Sequence, residues 1–395
     1  MKRYGNLYDK IISLDNLRLA DEKARKGKLQ SYGVRRHDEN REQNLIDLHE
    51  QLKAGTFKTS QYDVFTIHEP KEREIYRLPY YPDRIVHHAA MNILEPIWRS
   101  IFTADTYSCI KSKGIHAAAR KLKQYLREDP AGTRYCLKID IRKYYPSIDH
   151  DILKQIIRRK IKDRRLLALL DEIIDSAEGV PIGNYLSQYF ANLYLAYFDH
   201  WIKEEKRTRY YFRYADDIVI LSDNKQHLHG LLADMREYLA VELHLQIKDN
   251  YQIFPVEARG IDFVGYVFYH THTLLRKSIK QTFCRKVAKI RKRKIRPAEK
   301  ELKQEICPWW GWAKHCDSKH LFKQQLKKTG YEDIFKPPTR HDRESGRRNA
   351  LLQLRDQADR ATERGRAGTS PRIRVPERTH LRGTNGREHP ESRSS

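Results

Sequence analysis

The segment Phe212-Arg213-Tyr214-Ala215-Asp216-Asp217-Ile218-Val219-Ile220-Leu221 constrains the fold more than any other part of the chain. Two adjacent carboxylates separate two short β-prone runs, the pattern of a hairpin with its acids at a tight turn. A hairpin tip carries both acids out of the core toward one point in space. Like charges held there repel, and folding gains nothing from them. Asp is common in turns, so an acid pair alone describes any polar surface hairpin. Here an aromatic-rich strand precedes the pair and Ile-Val-Ile-Leu follows it, so the strand that carries the acids is buried. Acids placed against a buried strand are costly unless they serve something. A divalent cation relieves the repulsion. Asp140, which ends the strand-like run Cys136-Leu137-Lys138-Ile139-Asp140, supplies a third acid. Carboxylates and a backbone carbonyl form the oxygen set that Mg²⁺ prefers.

Charge narrows the partners. The 395 residues carry a net charge of +25. Such an excess does not suit an enzyme confined to small molecules. It suits nucleic acid, where Lys and Arg displace condensed counterions. A membrane is not expected as a partner, since no apolar run approaches the ~20 residues of a spanning helix. Met1-Lys2-Arg3-Tyr4-Gly5 leads into a charged helix and not into a signal peptide. The five cysteines are scattered and odd in number, with no Cys-x-x-Cys pair, which points to a reducing, cytoplasmic setting. The 24 tyrosines suit stacking on bases and sugars as well as a core.

Apolar spacing in Leu7, Ile11, Leu14, Leu17 and in Leu45, Leu48, Leu52 predicts helices over 1–55. A strand and turn follow from Tyr62 to Leu78, broken by Pro70 and Pro79. Asp83 is placed to cap a helix beginning Arg84-Ile85-Val86-His87-His88. Strands centred on Leu137, Ile218, Ile253 and Phe263 alternate with helices over 135–268. A basic helix is expected from Lys277 to Arg296, then an aromatic patch at Trp309, Trp310 and Trp312. After Pro337 Lys disappears and Arg, Gly, Ser, Pro and Thr dominate, which predicts a disordered, Arg-rich tail over 337–395. So abrupt a change also fits a segment of different genetic origin.

The order of these signals resembles a reverse transcriptase over roughly residues 60–330. Asp140-Ile141-Arg142-Lys143-Tyr144-Tyr145-Pro146-Ser147-Ile148-Asp149 is similar to the first acidic motif of that family, and Tyr214-Ala215-Asp216-Asp217 to the second. Gly179-Val180-Pro181-Ile182-Gly183-Asn184-Tyr185-Leu186-Ser187-Gln188 resembles the motif that cradles the template–nucleotide pair. Gly260-Ile261-Asp262-Phe263-Val264-Gly265-Tyr266 resembles the primer-grip strand. The resemblance implies an α+β, right-hand polymerase fold with fingers, palm and helical thumb. It divides the chain into an N-terminal helical segment 1–55, fingers and palm 56–272, a thumb 273–336 and the tail 337–395. Most bacterial members carry Gln before the glycine of the third motif and Pro after its serine, whereas this chain has Ile182 and Gln188. That departure resembles the enzymes of diversity-generating retroelements, which copy a template RNA with errors mainly at adenines. The pattern is short. It leaves open group II intron, retron and abortive-infection enzymes, and a non-catalytic RNA-binding protein on the same scaffold.

The resemblance implies site roles residue by residue. Asp140, Asp216 and Asp217, with the carbonyl of Ile141, would hold two Mg²⁺ ions ~4 Å apart, with Mn²⁺ as a substitute. Lys71 and Arg73 would grip the triphosphate, where a planar Arg fork matches phosphate oxygens. Tyr145 would stack beneath the sugar and block a 2′-hydroxyl, while Ile182, Gly183 and Gln188 would lie at the nascent pair. Lys248 would sit near the leaving pyrophosphate. The implied partners are template RNA, a DNA or RNA primer, dNTPs and a basic accessory variability protein. Cys307, His315, Cys316 and His320 match no common zinc spacing and read as packing around the tryptophans.

Overall fold

The computed structural model describes residues 2–68, 72–293 and 297–327. The N-terminal helices Tyr8–Ile12, Leu14–Ala24, Tyr32–Asp38 and Arg41–Ala54 bury Leu17, Leu45, Leu48 and Leu52. They form because apolar residues recur at helical spacing. Ser13 caps the second helix by accepting from the Asn16 amide, and Gly55, left-handed at φ 71, ends the fourth. This bundle packs on the helix Ile85–Arg99. The Asp163 carboxylate ties it down further, accepting from the amides of Leu7 and Tyr8 at 2.7 and 2.9 Å.

Asp83 does not cap the helix that follows it. It is buried, and its Oδ1 accepts from the Ser60 amide at 2.9 Å, holding the chain that leads into the first strand. A wide turn over Tyr80–Arg84, not a capping side chain, opens Ile85–Arg99.

The described residues contain nine strands. β1 (Asp63–Ile67) and β2 (Arg73–Arg77) form an exposed antiparallel hairpin. β3 (Tyr135–Asp140), β4 (Tyr210–Tyr214), β5 (Asp217–Ser222) and β6 (Gln252–Pro255) form one antiparallel sheet in the order β4-β5-β3-β6. β7 (Ile261–Phe263), β8 (Tyr266–Phe268) and β9 (Thr273–Leu275) form a third sheet, with Val264 and Gly265, at φ 42 and 89, as the two-residue turn between β7 and β8.

The four-stranded sheet has period-2 faces. Leu137, Ile139, Ile218 and Ile220 share one face and join the main core with helices His150–Arg158, Tyr185–Tyr194 and Lys225–Leu243. Cys136, Lys138, Asp140, Asp217 and Val219 share the other. Phe212 and Tyr210 lie on that second face, each edge-on to Tyr125 of helix Ile115–Glu128.

Beyond β9 lie helices Lys277–Arg291, Glu299–Ala313 and Lys319–Lys327. Phe283 stacks on Phe322 at 3.9 Å, and the expected tryptophan packing is present, with Trp309 against Phe283 and Trp312 against Tyr266. A Cβ on Gly265 would lie 2.4 Å from the Trp312 ring, so only glycine lets the β7–β8 turn meet this helix so closely. Residues 294–296, the end of the expected basic helix, and residues 328–395, which hold the end of the expected thumb and the whole tail, lie outside the described residues. Among the described residues no helix is long and apolar enough to cross a membrane.

Candidate active site

The acids converge, though not with both at the hairpin tip as the sequence suggested. Tyr214 pairs with Asp217, leaving Ala215 and Asp216 as the two-residue loop. Ala215 takes the left-handed conformation at φ 55 that such turns demand. Asp217 is therefore the first residue of β5 and lies directly opposite Asp140 of β3. Directly opposed side chains share a face, with Cβ atoms about 4.5–5.5 Å apart. Two carboxylates thus face each other across the strands, and the third sits on the adjoining turn.

Folding bears an electrostatic cost here. Burial raises the Asp216 carboxyl above the ordinary carboxylate range, and neighbouring Asp140 adds to it. Burial pushes Asp217 up to about 6, with Asp140 and Asp216 adding and Lys138 opposing. Lysines relieve part of this strain. Lys138 Nζ lies 3.5 Å from Asp217 Oδ1, and Lys248 Nζ donates to Asp140 Oδ1. Asp217 Oδ1 is nevertheless buried with no hydrogen-bond partner. Among the described residues no group of three or more His, Cys, Asp or Glu side chains is set to hold a metal ion as it stands. The donor chemistry fits a hard cation even so. The oxygens are carboxylate, one is buried and accepts no hydrogen bond, and ammonium groups already stand where positive charge is wanted.

The backbone near Asp140 is equally defined. The Arg142 amide donates to the Gln246 carbonyl at 2.8 Å, and the Lys248 amide donates to the Asp140 carbonyl at 2.9 Å. In an antiparallel ladder this pattern turns the carbonyl of the intervening Ile141 to the opposite edge, the side of β5 and its turn. Residues 142–147 form tight turns, so Tyr144 and Tyr145 do not alternate as on a strand. Tyr144 is buried and its hydroxyl donates to the Ala191 carbonyl. Tyr145 is half-buried, its carbonyl accepts from the Val180 amide at 2.9 Å, and the Asp216 charge helps burial raise its phenol.

The third motif joins the sheet's helical face to the β1–β2 hairpin. The Tyr76 amide donates to the Ile182 carbonyl at 2.9 Å. Gly183 sits at φ 126, and a Cβ there would lie 2.6 Å from the Tyr76 carbonyl oxygen. Ile182 is half-buried, and Gln188 is exposed on the helix Tyr185–Tyr194. Arg73 opens β2 and its positive field reaches Asp216. Lys71 lies outside the described residues.

Two functional neighbours were not singled out from the sequence. Lys138 was legible, since alternation places it on the face of Asp140. Arg213 is wholly buried in an ion pair with Asp199 at 2.6 Å. A charged residue inside a buried strand signals a partner, but nothing local names Asp199 as that partner. Of the cysteine–histidine set, Cys316 is buried, Cys307 is exposed, and His315 stacks on His116 at 4.0 Å.

Residues 69–268 match the family described as reverse transcriptase (RNA-dependent DNA polymerase). Protein YkfC of Escherichia coli (strain K12) is 26% identical over 263 residues, covering 55% of this chain and 68% of that protein. The group II intron-encoded protein LtrA of Lactococcus lactis subsp. cremoris is 24% identical over 178 residues, covering 42% of this chain but only 29% of its own length. Among solved structures, apo telomerase from Candida Tropicalis has a TM-score of 0.44 at 12% identity, covering 70% of this chain and 63% of that one. The matched span holds just over half of the residues and both acid motifs, and its α+β scaffold of β-hairpin, antiparallel sheet and helices is the right-hand polymerase fold: the chain belongs to the reverse transcriptase (RNA-dependent DNA polymerase) family.

Proposed function

We propose that this chain extends a primer on an RNA template with deoxynucleotides, at the site formed by Asp140, Asp216 and Asp217. The observation that carries the reading is the cross-strand pair Asp140–Asp217 beside a turn bearing Asp216, buried at evident electrostatic cost. Asp140 and Asp216 hold the cations, Asp217 supports them, and the Ile141 carbonyl completes the oxygen set. Bound Mg²⁺ supplies charge stabilisation for the entering and leaving oxygens of in-line phosphoryl transfer. The residues of the chain do the rest. Lys71, together with Arg73 at the start of β2, grips the triphosphate. Tyr145 lies under the sugar and excludes a 2′-hydroxyl. Ile182, Gly183 and Gln188 support the nascent pair. Lys248 gives up Asp140 and holds a proton near the departing pyrophosphate. On this reading 1–55 is an N-terminal helical segment, 56–272 fingers and palm, 273–336 thumb and 337–395 a basic tail.

Ile182 and Gln188 favour the finer reading, a diversity-generating retroelement enzyme that misincorporates opposite template adenine and works with a basic accessory protein. Ile offers the pair no donor or acceptor where Gln would, and lost polar contacts lower selectivity. The likeness to LtrA, a group II intron-encoded protein, favours a second reading, an intron-type enzyme. Primer extension on one RNA template with Mg²⁺, followed by cDNA sequencing, tests both levels. Loss of extension in Asp140→Ala and Asp216→Asn with RNA binding retained is expected. Substitutions concentrated at template adenines support the retroelement reading, and a uniformly accurate product removes it.

A further inference from the structure

We infer that Arg213 is a positioning residue for the polymerase reaction, holding the Asp216 turn in its working shape from the buried side of the sheet. This rests on the proposed role of Asp216. Arg213 lies on β4, two residues before Ala215, and points into the core opposite the acid-bearing face. Its guanidinium and the Asp199 carboxylate are both fully buried. Nε and Nη2 reach the two Asp199 oxygens at 2.7 and 2.6 Å. Nη1 then bridges outward, donating to Asn192 Oδ1 and to the Ala215 carbonyl, each at 3.2 Å.

That last bond links the network to the chemistry. The Ala215 carbonyl belongs to the peptide that leads into Asp216, so fixing it fixes the plane from which the Asp216 side chain departs. Ala215 holds a left-handed φ of 55 that a residue with a Cβ adopts only when its surroundings impose it. The surroundings here are rigid. Asp199 also accepts from the hydroxyls of Tyr211 at 2.6 Å and Thr106 at 2.8 Å. The Arg213 amide donates to the Asp105 carbonyl and its carbonyl accepts from the Tyr107 amide, both at 3.0 Å. Asn192 is anchored in turn by donating to the Ser108 carbonyl at 2.7 Å.

Stability alone does not account for the arrangement. A buried ion pair is seldom better than an apolar pair of the same volume, because both charges lose their hydration. An apolar pair could not, however, hold a carbonyl on the strained turn. The planar five-donor fork of Arg reaches Asp199, Asn192 and Ala215 together. The single ammonium of Lys cannot span them.

Arg213→Lys is the test variant, since it keeps the charge beside Asp199 and loses the fork. Steady-state primer extension is measured across a Mg²⁺ titration, with RNA affinity and thermal midpoint in parallel. The expected result is a fall in kcat of roughly ten- to hundredfold, the scale of a small misplacement at a reacting centre. The Mg²⁺ concentration for half-maximal rate rises, while KM for the nucleotide and RNA affinity stay near wild type. Normal kcat and an unmoved Mg²⁺ midpoint overturn the inference. So does a loss of rate that only follows the loss of folded protein. Should Arg213→Lys not fold, Ala215→Gly carries the test, because glycine takes the left-handed turn without strain and loosens it. It lowers kcat and raises the Mg²⁺ midpoint with the thermal midpoint unchanged or higher; unchanged kinetics overturn the inference. Asp216→Asn runs alongside. If Asp216→Asn remains active, the proposed site itself is wrong, which is a different failure from an inert change at Arg213.

Discussion

Asp217 is held at a cost that a single substitution should remove. Its side chain is only 26% exposed, its Oδ1 has no hydrogen-bond partner, and its pKa is raised from 3.8 to about 6. A folded-state pKa above the unfolded value means that the native chain binds more protons between about pH 4 and 6. Stability therefore falls as pH rises through that window, and the penalty is complete above it. A shift of about two units corresponds to about 3 kcal/mol, since each unit is worth about 1.4 kcal/mol. Asp217→Asn keeps the shape and removes the charge, but it also leaves Lys138 without its carboxylate 3.5 Å away. The net gain should be about 1–3 kcal/mol at pH 8, or several degrees of midpoint at about 2–4 °C per kcal/mol. Calorimetry of both proteins from pH 4.5 to 8 is the assay. The gain should be largest at pH 8, shrink to roughly a third by about pH 4.5, where the native acid is protonated but the unfolded one is still mostly ionised, and vanish only below about pH 4. Millimolar Mg²⁺ should raise the wild-type midpoint at pH 8 more than that of the variant, while the variant loses most polymerase activity. A variant that is less stable than wild type at pH 8, or a gain independent of pH, would refute the reasoning.

Other residues make separate predictions. Gly183→Ala places a Cβ 2.6 Å from the Tyr76 carbonyl at φ 126, so it should lower stability by about 1–3 kcal/mol and loosen the β1–β2 hairpin; an unchanged denaturation midpoint contradicts this. Tyr145→Ala should admit ribonucleotides, read as a fall in the dNTP-to-NTP ratio of kcat/KM, and an unchanged ratio removes Tyr145 from sugar selection. Ile182→Gln should lower the error rate opposite template adenine by roughly tenfold or more if a polar contact of about 1–3 kcal/mol is restored. Identical error spectra would take Ile182 out of fidelity. RNA affinity should fall steeply with salt, as expected of a chain with net charge +25 that neutralises many phosphates; a flat salt profile contradicts a charge-driven contact.

Much of the fold is written in local patterns. Alternating Leu137, Ile139 and Ile218, Ile220 mark strands with one apolar face, and Tyr214-Ala215-Asp216-Asp217 between them marks the hairpin. Period-2 geometry then places Lys138, Asp140 and Asp217 on the other face once the strands pair. The N-terminal helices were equally legible, because Leu45, Leu48 and Leu52 repeat at helical spacing and are buried together. These features need only a few neighbouring residues to define them.

Contacts between distant segments were not legible. Asp83 carried a capping signal, yet it holds the Ser60 amide, because its burial site lies between elements brought together by folding. The pairing of Lys248 with Asp140 joins residues 108 positions apart, and the stitch from Tyr76 to Ile182 spans a similar distance. Arg213 announced a buried charge, but only packing of the helix Ala196–His200 beneath the sheet supplied Asp199. Residue types and their alternation set which groups can do chemistry, since local backbone geometry follows from near neighbours. Which groups meet, how far burial raises their pKa values and which cation answers which acid depend on desolvation and register across the whole core, which no short stretch of residues encodes.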